Sequence, residues 1–192
     1  MYAKTADPWR LASAQNVYER DKYRDTLASL PRPRYRSAVE IGCSVGVLTA
    51  ELAERCDAVL GVDLSETALT AARDRNRDRP NVAFARHRLP ADGPAGPYDL
   101  VLLSEVLYFF DAGDLRRLAA WALGATAPGA DLVLVNYLGP LRDYPLTGDH
   151  AVEVFTKALG SFASPMVSER RAQYRIDVLR RHAGEMAGVA SS

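Results

Sequence analysis

Short apolar runs alternate along the chain with stretches whose apolar positions recur at helical spacing. Residues 37–41, 58–62, 82–86, 98–103 and 131–137 predict strands, and 172–179 predicts a final strand of alternating pattern. Between them, 45–56, 65–79, 114–125 and 150–159 predict helices. In the first of these, Val47, Leu48, Leu52 and Ala53 face inward; in the second, Ser65 caps a face of Ala68, Leu69 and Ala72. The run 98–103 is apolar enough to be buried on both faces, which places it near the middle of a sheet. Pro128-Gly129 predicts a turn into the strand that follows. The order as a whole predicts an α/β fold, a doubly wound, mostly parallel Rossmann-like sheet with helices on both faces.

The chain before this alternation reads differently. Between Trp9 and Leu30, apolar residues at Leu11, Ala14, Val17, Tyr18, Leu27 and Leu30 form a broken helical stripe, which Pro31 and Pro33 stop. Residues 1–33 are therefore expected to be a helical cover, 34–185 the α/β domain, and 186–192 a frayed tail.

Composition narrows the partners. At 192 residues, 48% hydrophobic and 25% charged, the chain suits one globular domain with a sizeable core. Its 24 basic residues balance 24 acidic ones, a poor basis for binding nucleic acid, which rests on a positive patch. The longest apolar stretch is broken by Ser104 and Glu105, and no basic-then-apolar order opens the chain, so a cytoplasmic protein without a membrane partner is expected. Cys43 and Cys56 make neither a disulfide framework nor a metal quartet, and no metal is expected. The pattern specifies no oligomeric state.

Chemistry first enters at Val39-Glu40-Ile41-Gly42-Cys43-Ser44-Val45-Gly46-Val47-Leu48, which runs from a strand through small residues into a helix. Glycines there let the backbone pass close beneath a ligand. Asp63 ends the next predicted strand, about twenty residues after Gly42, where an acid accepts hydrogen bonds from both ribose hydroxyls of an adenosine-containing cofactor. The dinucleotide fingerprint requires Gly-x-Gly-x-x-Gly, but Ser44 stands at its middle position and the spacing is Gly-x-x-x-Gly. Glu40, two residues before the first glycine, would repel a pyrophosphate and suits a cationic, amino-bearing cofactor.

Glu40, Gly42, Gly46 and Asp63 together resemble the first two motifs of class I S-adenosylmethionine-dependent methyltransferases. The stretch Asp99-Leu100-Val101-Leu102-Leu103-Ser104-Glu105 resembles the fourth-strand pattern of the same group. Longer stretches resemble the rhizobial nodulation protein S family: Asp7-Pro8-Trp9, Tyr18-Glu19 with Lys22-Tyr23, Gly42-Cys43-Ser44-Val45-Gly46, Leu103-Ser104-Glu105-Val106-Leu107-Tyr108, Asp143-Tyr144-Pro145-Leu146-Thr147-Gly148-Asp149, and Tyr174-Arg175-Ile176-Asp177-Val178-Leu179. The similarity covers most of the chain in patches. It implies the class I methyltransferase fold, with seven strands or slightly fewer, and S-adenosylmethionine as cofactor, with S-adenosylhomocysteine as product. It also implies N-methylation of an amine on an amino sugar or chitooligosaccharide. One departure bears on the acceptor: the family pattern places a His-Trp pair after the fifth strand, where this chain has Asn136-Tyr137.

The resulting cofactor candidates are Trp9, Tyr18, Glu40, Gly42, Cys43, Ser44, Gly46, Asp63, Leu64 and Ser104, with Lys22 and Tyr23 as possible parts of a lid. Glu105, Tyr108 and His150 are the catalytic candidates, Glu105 either orienting or deprotonating an acceptor. Asn136, Tyr137, Asp143 and Tyr144 are the acceptor-binding candidates, and Asp143 and Asp149 offer charge for a cationic amine or simply turn chemistry. His87 and His182, among arginines, read as surface residues. Arg170, Arg171, Arg175, Arg180 and Arg181 read as edge-strand protection or, alternatively, as contacts for an anionic acceptor. Tyr98 and Asp99 read as structural. A small-molecule O- or N-methyltransferase with another acceptor, a non-catalytic cofactor-binding module and a nicotinamide oxidoreductase remain the rival readings.

Overall fold

The computed structural model describes residues 16–141 and 143–183. Five parallel strands, β1 (Tyr35–Ile41), β2 (Cys56–Asp63), β3 (Val82–Arg86), β4 (Tyr98–Ser104) and β5 (Thr126–Tyr137), are joined by β6 (Ala163–Arg170) and β7 (Tyr174–Arg181). The seven-stranded sheet has the order β3-β2-β1-β4-β5-β7-β6, with β7 antiparallel to both its neighbours. Every residue of β4 is buried, as its continuous apolar pattern predicts for a strand covered on both faces.

Helices α1 (Val17–Ser29), α2 (Val47–Leu52), α3 (Glu66–Arg75), α4 (Ala112–Ala125) and α5 (Gly148–Leu159) flank the sheet. On one face, Leu115, Leu118 and Ala122 of α4 and Phe155 and Leu159 of α5 pack on Val39, Val101, Leu103 and Leu134. On the other, Tyr23 of α1 and Leu48 and Leu52 of α2 pack on Ala38, Leu100, Leu102 and Val133. The alternation of inward residues along β1, β4 and β5 thus feeds two cores.

Three expectations need correction. Pro128-Gly129 is no turn before β5 but an irregularity inside it: Thr126 pairs with Tyr98, Asp131 pairs with Leu100, and Gly129 takes φ +77° between them. β6 escapes the apolar pattern because it is an edge strand, carrying Pro165 and mostly half-buried or exposed side chains. The second predicted helix ends at Arg75, where the Asn76 side chain donates to the carbonyls of Ala72 and Gly46.

Polar groups fix the strand ends away from the loops described below. The Asp99 carboxylate accepts the backbone N–H groups of Arg36 and Ser37, each at 2.9 Å, tying β4 to β1. Asp131, fully buried, accepts from the Tyr35 hydroxyl and Arg180 Nε at 2.8 Å, with Arg32 Nε at 3.2 Å. Among the described residues no helix is long and apolar enough to cross a membrane, and no group of three or more His, Cys, Asp or Glu could hold a metal ion.

Candidate active site

Past Ile41 the chain turns through Gly42, Cys43, Ser44, Val45 and Gly46 into α2, with left-handed φ at Gly42 (+82°), Ser44 (+49°) and Gly46 (+70°). A Cβ at Gly42 would overlap Val106 Cγ1, so glycine is required there by contact as well as by conformation. The N–H groups of Gly42 and Cys43 donate to the Val62 carbonyl at 2.8 and 3.0 Å. Ser44 N–H donates to Asp63 Oδ2 at 3.0 Å, and Ser65 N–H to Asp63 Oδ1 at 2.8 Å. Asp63 is thereby held against the loop; burial raises its pKa and these backbone donors oppose the rise.

Glu40, on β1 directly before the loop, is buried and accepts the Thr49 hydroxyl of α2. Burial pushes its pKa up to about 7; the Thr49 bond opposes this, and the charges of Asp63 and Glu51 add to it. Beyond β4, Glu105 adopts φ +58°, unusual for a residue with a side chain. Its Oε1 accepts from Lys22 Nζ at 3.0 Å and from the Tyr18 hydroxyl at 3.4 Å. Its Oε2 accepts from the Tyr108 hydroxyl at 2.8 Å and from Tyr137 N–H at 3.1 Å. Burial, then the Glu105 charge, drives the pKa of both phenols far up, so they serve as donors. Lys22 also meets Glu19 Oε1 at 3.0 Å and lies 4.8 Å from the Tyr18 ring centroid.

These groups border one cavity of about 630 Å³ over the carboxyl ends of β2, β1, β4 and β5. β1 and β4 lead the chain in opposite directions across the sheet, and the crevice at such a switch point is where doubly wound sheets bind ligands. Of the cofactor candidates, Tyr18, Glu40, Gly42, Cys43, Ser44, Asp63, Leu64 and Ser104 line it. So do Glu105 and Tyr108 of the catalytic candidates, and Tyr137 and Tyr144 of the acceptor candidates. The volume suits a nucleoside-sized ligand with a second small molecule. Among the described residues, four lining carboxylates, on Glu19, Glu40, Asp63 and Glu105, face Lys22 and Arg88 as fixed cations, which fits a positively charged cofactor.

Other candidates lie apart. Gly46 is packed behind the loop, where a Cβ would meet Asn76, Ala72 and Phe84 at 2.8–3.0 Å. Asn136 is fully buried, does not line the cavity, and neither of its amide atoms has a hydrogen-bond partner. Asp143 is exposed away from the cavity. His150, also exposed, lies in the first turn of α5, where its N–H donates to Thr147 Oγ1. Trp9 lies outside the described residues.

Asp149 is already neutralised by Arg170 and Arg175, which hold its pKa below the usual range, so it is no free anchor for an amine. The arginine cluster is likewise paired: Arg171 with Asp25 and Glu169, Arg175 also with Asp177, Arg180 with Asp131, and Arg181 with the Thr126 carbonyl. The strand carrying Arg175, Arg180 and Arg181 is not an edge, so edge protection does not account for them, whereas Arg170 does end the edge strand β6.

Sequence reasoning missed Glu19, Phe109, Phe110 and Leu141 as lining residues and took His87 for a surface residue. His87 is partly buried and lines the cavity, its Nδ1 3.4 Å from Asp92 Oδ2. Its place one residue past β3, at the carboxyl end of a parallel strand, was the available signal. The Tyr108, Phe109 and Tyr144 rings form a cluster with centroids 4.9–5.4 Å apart.

A methyltransferase-domain family model matches residues 39–132, from β1 into β5. A Pseudomonas syringae protein of known structure, assigned as a methyltransferase, is 36% identical over 85% of this chain and 99% of its own, with a TM-score of 0.75. Nodulation protein S of Rhizobium tropici is 30% identical over 139 residues, which cover 71% of this chain and 56% of that protein. The structure of the N-methyltransferase NodS from Bradyrhizobium japonicum with S-adenosylhomocysteine aligns over 91% of this chain and 92% of its own, with a TM-score of 0.76 and 23% identity, a likeness of fold. The chain spans less than two thirds of the length of the curated nodulation relatives it matches, 56–64% for three of them. Carried by the match to the Pseudomonas protein over 99% of its length, the assignment follows: the chain belongs to the class I S-adenosylmethionine-dependent methyltransferases and is related to nodulation protein S.

Proposed function

We propose that this protein transfers a methyl group from S-adenosylmethionine to the amine of a small molecule, with an amino sugar or chitooligosaccharide as the acceptor class. The observation that carries the reading is the continuity of one cavity from the Glu40–Gly42–Asp63 loop system to the Glu105 cluster at the ends of β4 and β5. When bound, S-adenosylmethionine supplies a methyl group already activated on a sulfonium. The protein's task is then to align two reactants and exclude water. Asp63 takes the ribose hydroxyls on the lone pairs its backbone donors leave free, and Glu40 faces the cofactor's ammonium. Gly42, Cys43 and Ser44 keep the loop low beneath the ligand, while Leu64 and Ser104 flank it.

At the acceptor end, Glu105 already accepts four donors. We read it as the residue that positions Tyr18, Tyr108 and Lys22, not as the base. Tyr137, Tyr144 and the Tyr108–Phe109 pair offer ring faces to the apolar side of an acceptor, including the CH face of a sugar. The departure at Tyr137, which lines the cavity where the family pattern has tryptophan, favours one second reading, a small-molecule methyltransferase of another acceptor class. Calorimetry with S-adenosylhomocysteine tests the cofactor, and an acceptor screen read by mass spectrometry for one added methyl tests the rest. Binding of NAD with no binding of S-adenosylhomocysteine would overturn the whole reading. Methylation confined to hydroxyl or carboxyl acceptors would overturn the amine, and cofactor binding without turnover of labelled methyl groups would leave a binding module.

A further inference from the structure

Among the described residues, the Glu19, Lys22 and Glu105 group beneath α1 carries two carboxylates to one ammonium, and the excess falls on Glu19. Glu19 and Lys22 stand one turn apart on α1, and Lys22 Nζ bridges Glu19 Oε1 and Glu105 Oε1 at 3.0 Å each. One buried ammonium therefore serves two carboxylates. The second oxygen of Glu105 is satisfied by Tyr108 and by the Tyr137 N–H. The second oxygen of Glu19 is not: Oε2 is buried without a hydrogen-bond partner, in a residue only 8% exposed that lines the cavity. It is the one buried carboxylate oxygen without a partner among the described residues. Burying an ionised oxygen with no donor is costly, and a group left in that state calls for a specific explanation. A ligand that brings its own N–H supplies one.

We propose that Glu19 is the anchor for the acceptor's ammonium, its side chain turning so that Oε2, which is closed off from the cavity as it stands, receives an N–H of the bound amine while Lys22 holds the carboxylate in place. The inference rests on the amine-methylation reading and sharpens its substrate class. Among the described residues, Lys22, the cation beside Glu19, is engaged by two carboxylates and is not free to pair with an anionic group beside the reacting nitrogen. The acceptor is then a monocationic aliphatic amine, as in a deacetylated amino sugar, and not an α-amino acid or a polycarboxylate. The Tyr18 ring, which already faces Lys22, and the Tyr137 ring, edge-on to it with centroids 6.4 Å apart, add a surface that favours a cation. The amine would dock as its ammonium and pass one proton to water before its nitrogen attacked the methyl carbon, the breaking C–S bond leaving its electron pair on sulfur in S-adenosylhomocysteine.

Sinefungin provides a probe that needs no knowledge of the acceptor. It is S-adenosylhomocysteine with an amino-bearing carbon in place of sulfur, which puts an ammonium where the methyl group is transferred. The attacking nitrogen must come within about 3–3.5 Å of that methyl carbon, so a receptor for one ammonium also senses the other. Titration calorimetry on the full chain is expected to show sinefungin binding at least 10-fold tighter than S-adenosylhomocysteine. Glu19→Gln should reduce the ratio to within about 2-fold while leaving the affinity for S-adenosylhomocysteine unchanged within the same factor. A wild-type protein without the preference overturns the inference with no variant needed. So does a Glu19→Gln protein that keeps the preference, or one that loses affinity for both ligands equally, which marks a structural role. Failure of the wild type to bind either ligand overturns the cofactor reading beneath it.

Discussion

Lys22 Nζ and Glu105 Oε1, 83 residues apart in the chain, meet at 3.0 Å and join the helix before the sheet to the loop after its central strand. The lysine side chain is 2% exposed and the glutamate side chain 21%, so water screens the pair weakly. Removing the cation should cost more than removing one anion. Lys22→Met leaves Glu19 and Glu105 without their shared cation and is expected to destabilise the protein by about 3–5 kcal/mol. Glu105→Gln leaves Lys22 its bond to Glu19 and should cost about 1–3 kcal/mol. Urea unfolding of both variants checks the order, and equal losses would mean that Lys22 is held by packing alone.

Gly42 and Val106 are in contact so close that no Cβ fits between them. Gly42→Ala is expected to shift the loop and weaken S-adenosylhomocysteine binding at least 10-fold. In the double variant with Val106→Ala, the space returns but the positive φ remains, which costs about 1–2 kcal/mol. Calorimetry should therefore show partial recovery. Full recovery would mean that overlap alone matters, and no recovery that backbone conformation alone does.

Glu40 makes stability depend on pH. Its folded pKa, about 7, lies above the ordinary value of 4.5. The stability this contributes is complete below about pH 4.5 and is lost as pH rises through 7. At about 1.4 kcal/mol per pKa unit, Glu40→Gln should gain about 3 kcal/mol on the wild type between pH 4.5 and 8. Asp63, raised in the same direction, is present in both proteins, and because its charge helps raise Glu40 the difference reads Glu40 together with its coupling to Asp63. Urea unfolding at the two pH values reads it, and parallel pH profiles would refute the assignment.

Asp131 separates stability from the site. Fully buried between Tyr35, Arg180 and Arg32, it lies in the middle of β5, where the strand pairs with Leu100, half the strand away from Tyr137. Asp131→Asn is expected to cost about 3–5 kcal/mol by urea unfolding. Affinity for S-adenosylhomocysteine should stay within 2-fold of the wild type. A large loss of affinity would show that the two ends of the sheet are coupled.

The parts of this molecule that obey local rules were legible in its sequence. β4 reads as central because both its faces are covered, and the loop from Glu40 to Gly46 reads as a ligand loop because backbone conformation demands small residues there. β6 was invisible because an edge strand buries little and tolerates proline. Pro128-Gly129 misled because a distortion inside a strand uses the same residues as a turn. The partnership of Glu19, Lys22 and Glu105 had no local signature. A lysine in a helix of low hydrophobicity reads as solvated, and only the packing of α1 over the sheet buries it. Asp149 failed as a candidate for the same reason, since its arginine partners lie more than twenty residues away in sequence.

α1 is fastened at two places one turn apart by different kinds of contact, and ionic strength will tell them apart. In its middle, Lys22 is enclosed between Glu19 and Glu105. Three residues on, Asp25 reaches Arg171 and the Tyr174 hydroxyl, with Arg171 45% exposed. Exposed charges are largely screened beyond about 10 Å at 0.1 M salt and closer at higher concentrations, whereas enclosed ones are screened much less. Raising salt should loosen the Asp25 contacts while those of Lys22 stay pinned. The helix would then pivot about the buried lysine instead of lifting away as a unit.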